Sequence, residues 1–275
     1  MVILVYTRTI TSESCLDEPY DGKTALRLDI RRALFVNKKQ DSAKAKPFRL
    51  GVAWKILDPF FHTMVYFFVF TVIRFNTNVG SLMIGIAMIQ TLQANLAFGV
   101  RSGKDYTGGL KIERIRTRVI VIADLLHVIS DSLYRASSTL IVLLILGSSL
   151  WAIPAIPLLF VLNGLTWYSI GRSMIFISFR FKDFEKFVSY FGMMMFFMSP
   201  ALYPLNMTKG LHRQLNLFNP FSYFSEPARA ISFGQDSYQL LIPWVGGLIF
   251  MIVSAFLIHG FWMIDKQRWK WSPWF

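Results

Sequence analysis

With 275 residues, 54% of them apolar and only 16% charged, the chain falls well short of the roughly one-quarter charge of a soluble domain. Its net charge of +13 would fit a nucleic-acid partner if the cations were clustered, but they are dispersed. Of 29 Lys and Arg residues, 11 lie in 1–58, six in 101–118, four in 172–186 and three in 265–275.

These basic regions alternate with stretches that contain no Asp, Glu, Lys or Arg: 59–73, 75–100, 136–171, 187–208 and 237–264. A bilayer core about 30 Å thick takes roughly 20 apolar residues of helix. The 36 residues of 136–171 are too many for one span, and 147–157 (GSSLWAIPAIP) marks a turn inside them. The pattern predicts an all-α membrane protein with six transmembrane helices. Only Arg74, Lys209, Arg213 and Arg229 fall on the less basic side, and Arg135 falls within a span. The positive-inside bias therefore predicts two cytoplasmic termini in a multi-pass protein, with anionic-lipid contact as a second use of the basicity. Cys15 is the single cysteine, which leaves no intrachain disulfide. No cleavable targeting peptide is expected, because the apolar start at 1–5 is too short.

In chain order, 1–23 reads as a cytoplasmic N-terminal arm, and 24–58 as an interface helix with its lead-in. Leu26, Ile30, Leu34 and Phe35 recur at helical spacing over 24–39 among Arg27, Arg31, Arg32, Lys38 and Lys39, the pattern of a helix lying flat on a membrane. Docking on a soluble partner is the alternative. The membrane domain runs over 59–264. Its first span is short and starts before Pro59; its second ends near Gly99. A full-length third span ending near Gly147 begins near Val119 and includes Asp124, His127, Asp131 and Arg135. These are three, four and four apart on one helix face that Ser138 continues, and Asp131 with Arg135 is spaced for an ion pair. Such a face lines a bundle interior or water path, or projects into the cytoplasm. The fourth span runs from about Ile153 to Arg172, and an amphipathic helix follows over 179–187 (FRFKDFEKF). The fifth span, 188–198, breaks at Ser199-Pro200. Residues 200–236, with four prolines, suit an external re-entrant helical hairpin. The last span covers 240–264, before a cytoplasmic aromatic-basic tail at 265–275 with Trp269, Trp271 and Trp274.

No catalytic constellation emerges. His62, His127, His212 and His259 lack metal-ligand spacing. Gly22-Lys23-Thr24 mimics the end of a phosphate-binding loop, but Asp17 stands where a glycine is required and no strand precedes it.

Three segments together resemble a known family. Residues 48–62 (FRLGVAWKILDPFFH) are similar to the lead-in to the first span of polysaccharide-exporting ABC transporter permeases, nearest the capsular-polysaccharide branch, with O-antigen and teichoic acid pumps related. Residues 180–184 (RFKDF) resemble that family's motif after the fourth span. Residues 199–231 resemble its fifth-span end and external hairpin, including the Ser-Pro, Tyr-Pro-Leu and Asn-Pro landmarks. Over roughly 25–265 the likeness implies a homodimer in the inner membrane, coupled to two copies of an ABC ATPase. That subunit would bind ATP and Mg; no cofactor, catalytic residue or metal is expected in this chain, and no nucleic acid. The resemblance implies ATPase coupling through 101–118 and 180–187, with Lys104, Asp105, Arg114, Arg116, Lys182, Asp183 and Glu185 as candidates. The cluster of Arg114, Arg116 and Arg118, with Asp124 and Asp131, departs from the family's pattern.

A path for a sugar polymer combines aromatic faces with hydrogen-bonding groups. Tyr66, Gln90, Gln93, Trp167, Tyr203 and Tyr223 are candidates of those types, as are Asn95 and Tyr168; Arg74 and Arg229 are candidates to meet an acidic polymer. Each has a plain alternative as a belt or packing residue. Competing functions are a drug or small-lipid exporter of the same architecture, and a membrane-embedded lipid-modifying enzyme built on the Asp124–Arg135 face.

Overall fold

A computed structural model describes residues 23–45, 53–73, 79–102, 117–181, 183–234, 245–250 and 252–253. The expected N-terminal arm, the aromatic-basic tail and most of the last span lie outside the described residues. All the described elements are helical. Three helices are long and apolar enough to cross a membrane: Val79–Arg101, Val119–Ile145 and Ala152–Ser173. The chain thus has the helical fold of a membrane protein.

Helix α1 (Lys23–Ala45) extends past its expected end at residue 39, through residues that the helix accommodates without strain. It has two working faces. Asp29 and Ala33 are buried, and Ala33 clusters with Val119 and Ala123, with Val36, Ile122 and Leu126 around them. Leu26, Ile30, Leu34 and Phe35 turn outward and are 40–67% exposed. The small-residue face docks on the protein and leaves the apolar row free for an interface. Helix α2 (Trp54–Ile73) begins ahead of Pro59, as the short charge-free stretch required, and exposes Met64, Val65 and Phe68.

Helix α3 (Val79–Arg101) is the axis of the fold: 16 of its 23 residues are buried. It packs on α2, on α4 (Thr117–Ile145), on α5 (Ala152–Ser173) and on the later helices. The turn between α4 and α5 is shorter than 147–157. It closes by residue 151 around Gly147, whose φ of 76° is left-handed, and Pro157 lies inside α5. The Ser149 N–H donates to the Ser232 carbonyl at 3.0 Å, which ties this turn to the later hairpin.

No single helix covers 179–187. Helix α6 (Ile175–Arg180) stops at extended Phe181 (φ −126°, ψ 102°), and α7 starts afresh at Phe184. Helix α7 (Phe184–Met198) ends where expected, because Ser199 precedes Pro200 and is extended (φ −84°, ψ 159°); a residue before proline is pushed out of the helical region. Its 15 residues span about 22 Å, less than a full hydrocarbon core. A 3-10 turn (Leu205–Met207), α8 (Gly210–Leu217) and α9 (Ser222–Phe233) then build a hairpin of short helices, and left-handed Gly234 (φ 65°) closes it. Helix α9 is largely buried, with Phe224 and Ala228 in the same core as Met88, Leu92 and Leu96 of α3 and Ile156 and Phe160 of α5.

Lipid offers little hydrophobic drive for helices to associate, so backbone approach at small residues carries the packing. Gly99 of α3 and Gly171 of α5 form such a crossing. A Cβ on Gly171 would stand 3.1 Å from Gly99 Cα, and one on Gly99 would overlap the Tyr168 carbonyl oxygen. Both obstacles are backbone and cannot rotate away. Gly99→Val is expected to destabilise the fold by about 1–3 kcal/mol, read as a lower melting temperature of the detergent-purified protein. An unchanged melting temperature would show that the crossing has slack.

Candidate functional site

Each end of the bundle holds a buried arginine. At the end away from the hairpin, Arg172 in the last turn of α5 meets Asp124 of α4, which is fully buried. Arg172 Nη1 donates to Asp124 Oδ2 at 3.0 Å and to the Tyr168 hydroxyl at 3.2 Å. Tyr168 in turn donates to Asp124 Oδ2 at 3.0 Å. Ser102, just past α3, donates to the same carboxylate oxygen and accepts from Arg172. One carboxylate thereby gathers α3, α4 and α5. The charges are tolerable because they neutralise each other and bond to hydroxyls, as a buried pair requires.

At the hairpin end, Arg229 of α9 is fully buried. Its Nε donates to the Ser81 carbonyl (3.1 Å) and its Nη2 to the Ala201 carbonyl (2.9 Å). Nη1 donates to the Pro200 and Tyr203 carbonyls (2.7 and 3.2 Å) and to Glu226 Oε1 (2.5 Å). The break after α7 leaves the carbonyls of residues 200, 201 and 203 outside any helix, and the guanidinium satisfies them. Arg229 is therefore a clamp inside the protein. The structure corrects its expected place facing a polymer at the outer surface.

Between α5, α7 and α8 lies a cavity of about 630 Å³. Trp167, Phe191, Met195, Met198, Leu215 and Phe250 give it an apolar lining. His212, Asn216 and Asn219 line its α8 side. These polar groups also hold the hairpin together. His212 Nε2 lies 2.9 Å from the Tyr203 hydroxyl, Asn216 donates to the His212 carbonyl, and Asn219 bridges Ser199 Oγ and the Phe221 N–H. Burial pushes the Tyr203 phenol above its ordinary pKa, against the opposing pull of the Asn216 hydrogen bond and the Arg229 charge.

The sequence-derived candidates separate on this geometry. Trp167 lines the cavity and Tyr203 stands next to it through His212. Tyr223 is half-buried, donates to the Phe218 carbonyl at 3.2 Å and packs edge-on against Phe250. Gln93 donates to the Gly192 carbonyl of α7 at 2.8 Å, and Gln90 is half-buried on α3. Asn95 bonds the Thr91 carbonyl of its own helix, and Tyr168 belongs to the Asp124 cluster. Glu185 accepts from Arg101 Nε at 3.1 Å, which joins the start of α7 to the end of α3; Asp183 is exposed. Lys104, Asp105, Arg114, Arg116, Lys182 and Arg74 lie outside the described residues, and so does the side chain of Tyr66.

The polar face of α4 is divided. Asp131 accepts from Arg135 Nε at 2.9 Å, the ion pair expected from their spacing. His127 packs on Phe98 at 4.7 Å between ring centroids. Asp124 faces the interior, where sequence reasoning missed its partner. Arg172 was counted among the cytoplasmic cations, yet its place one turn after Tyr168 and at the end of an apolar helix marked it for burial. Glu226, three residues before Arg229, carried a similar signal. Among the described residues no group of His, Cys, Asp or Glu has the arrangement of a metal site. No protein-family model matches the chain, and no curated protein matches it either.

Removing one partner of a buried ion pair strands the other. Asp124→Ala or Arg172→Met alone is expected to cost about 3–5 kcal/mol, and the combined Asp124→Leu/Arg172→Met change far less than the sum. Melting temperatures of the three purified variants test this. Additive losses would mean that the two residues stabilise the fold independently.

Proposed function

We propose that this chain is the membrane-spanning permease subunit of an ABC transporter that exports a polysaccharide, lipid-linked and of capsular type, across the cytoplasmic membrane. In this reading six helices cross the membrane, both termini are cytoplasmic, two copies form the channel, and a separate ATPase subunit supplies the energy. The observation that carries the reading is the order of elements. An amphipathic α1 with a free apolar row precedes α2. Helices long enough to span follow, then the bend at Phe181, the Ser199-Pro200 break and a hairpin of short helices folded back on α3 and α5. The segments whose sequences resemble the permease family occur at the corresponding points of that order.

Coupling is assigned to the end of the bundle that bears Arg101 and Glu185. That ion pair is half exposed on the Arg101 side and is worth about 0–1 kcal/mol, so it can open without unfolding the bundle. Its residues border both loops proposed to receive the ATPase. Closure of the ATPase would reach α3 through 103–116 and α7 through 181–183, the two helices that Gln93 also joins.

The test is ATP hydrolysis in lipid vesicles by the chain co-purified with an ABC ATPase encoded beside it. Hydrolysis is expected from the complex only, with Asp183→Lys/Glu185→Lys lowering it about tenfold, equivalent to about 1.4 kcal/mol of lost coupling. Failure of the chain to retain any ATPase would overturn the proposal.

A further inference from the structure

We infer that α1 is a binding surface for anionic glycerophospholipid, with lipid phosphate at a row of cations and acyl chain at the apolar row beside it. At about 3.6 residues per turn, the helix divides into three faces. Asp29, Ala33 and Val36 share the first, where Ala33 and Val36 pack with Val119 and Ala123 of α4. Leu26, Ile30 and Leu34 form the second, about a quarter turn away, and are 40–50% exposed. Arg27, Arg31 and Lys38 form the third, exposed between that row and Phe35. Long basic side chains can lie along apolar surface and still reach a phosphate.

Position and charge say what meets this surface. The three apolar helices have span limits at Arg101, Val119 and Ser173. Asp124 joins these limits through Ser102 and Arg172, and Ala33 docks one turn away at Val119 and Ala123. Helix α1 is therefore fastened at the level where all three apolar runs stop, which is the headgroup level of a bilayer. Arg27, Arg31, Arg32 and Lys38 have no ion-pair partner among the described residues. The acid described on the same helix, Asp29, is buried. Each such cation strengthens attachment to an anionic membrane surface about fivefold, and a zwitterionic surface offers no such gain. The inference needs only a membrane protein, and stands if the chain proves not to be a permease.

Cys15 is the single cysteine, so Cys15→Ser with Ile30→Cys lets one fluorophore report on the apolar row of the full-length protein. The labelled protein is placed in vesicles of one phosphatidylglycerol to three phosphatidylcholines, with a nitroxide on the acyl chain of either lipid. Quenching per mole of nitroxide is expected to be about fivefold stronger from phosphatidylglycerol, the preference conferred by one cation at one headgroup. Adding Arg27→Gln/Arg31→Gln/Lys38→Gln should make the two lipids equal at an unchanged melting temperature. Arg32→Gln, on the other side of the docking face, should keep the preference. Equal quenching with all the cations in place would reveal an apolar anchor that ignores headgroups. No quenching by either lipid would reveal a row covered by protein, whether by residues 1–22 or by a soluble partner. Either result, or a preference that persists in the triple variant, would overturn the inference.

Discussion

The fold turns on the contact between Arg172 and Asp124. Neither charge is tolerable alone in an apolar bundle, so each fixes the other, and hydroxyls from α3 and α5 complete the shell. Such a cluster has few alternative arrangements of comparable energy. Helices of similar apolar composition could otherwise slide past one another by a turn with little penalty in lipid. The ion pair and its hydroxyls define the register at one end, and Arg229 defines it at the other by bonding carbonyls from α3 and from the chain after α7.

Between these ends, α3 is held by close backbone approach. The Gly99–Gly171 crossing brings α3 and α5 together, and Gly85 admits the Ala201 carbonyl beside the Arg229 guanidinium. The result is a rigid inner group of α3, α5 and α9, with α1, α2 and α7 presenting apolar residues outward. Helix α7 leaves a broad apolar face uncovered, with Phe187, Tyr190, Met193 and Phe197 exposed. Its polar links to α3 are Gln93 with Gly192 and Arg101 with Glu185. A moving part in this architecture belongs at that periphery, since shifting α3 would strip partners from both buried arginines.

The helical class, the limits of α4 and the break at Ser199-Pro200 were legible because charge gaps and proline geometry act locally. The Asp131–Arg135 pair was legible for the same reason, being set by the helical period. Pairings across helices were not. Nothing near Asp124 in sequence points to a residue 48 positions later, and Arg172 sits among basic residues that dominate the charge count. Arg229 misled in the same way, because its sign suggested an outer surface while its donors serve three carbonyls of broken backbone, the Ser81 carbonyl and Glu226. The apolar row of α1 was read correctly as a helix face, but the docking surface was the quieter face at Asp29 and Ala33. The cavity was beyond reach, since it is made where α5, α7 and α8 meet and only Trp167 among its lining had been singled out.

The separation of Asp124 from Arg172 along the chain bears on how the protein is made. During synthesis α4 enters the membrane before α5, carrying Asp124 with its neutralising cation not yet translated. A lone aspartate opposes insertion by about 2.5–3.5 kcal/mol at a helix centre and by less toward an end; Asp124, in the first third of α4, carries the smaller penalty, against which the long apolar run after Ala136 must work. Arg172 arrives at the very end of α5, so the pair closes only when both helices are in place. Helices α4 and α5 are therefore expected to leave the insertion machinery as a unit, delayed until that last turn emerges.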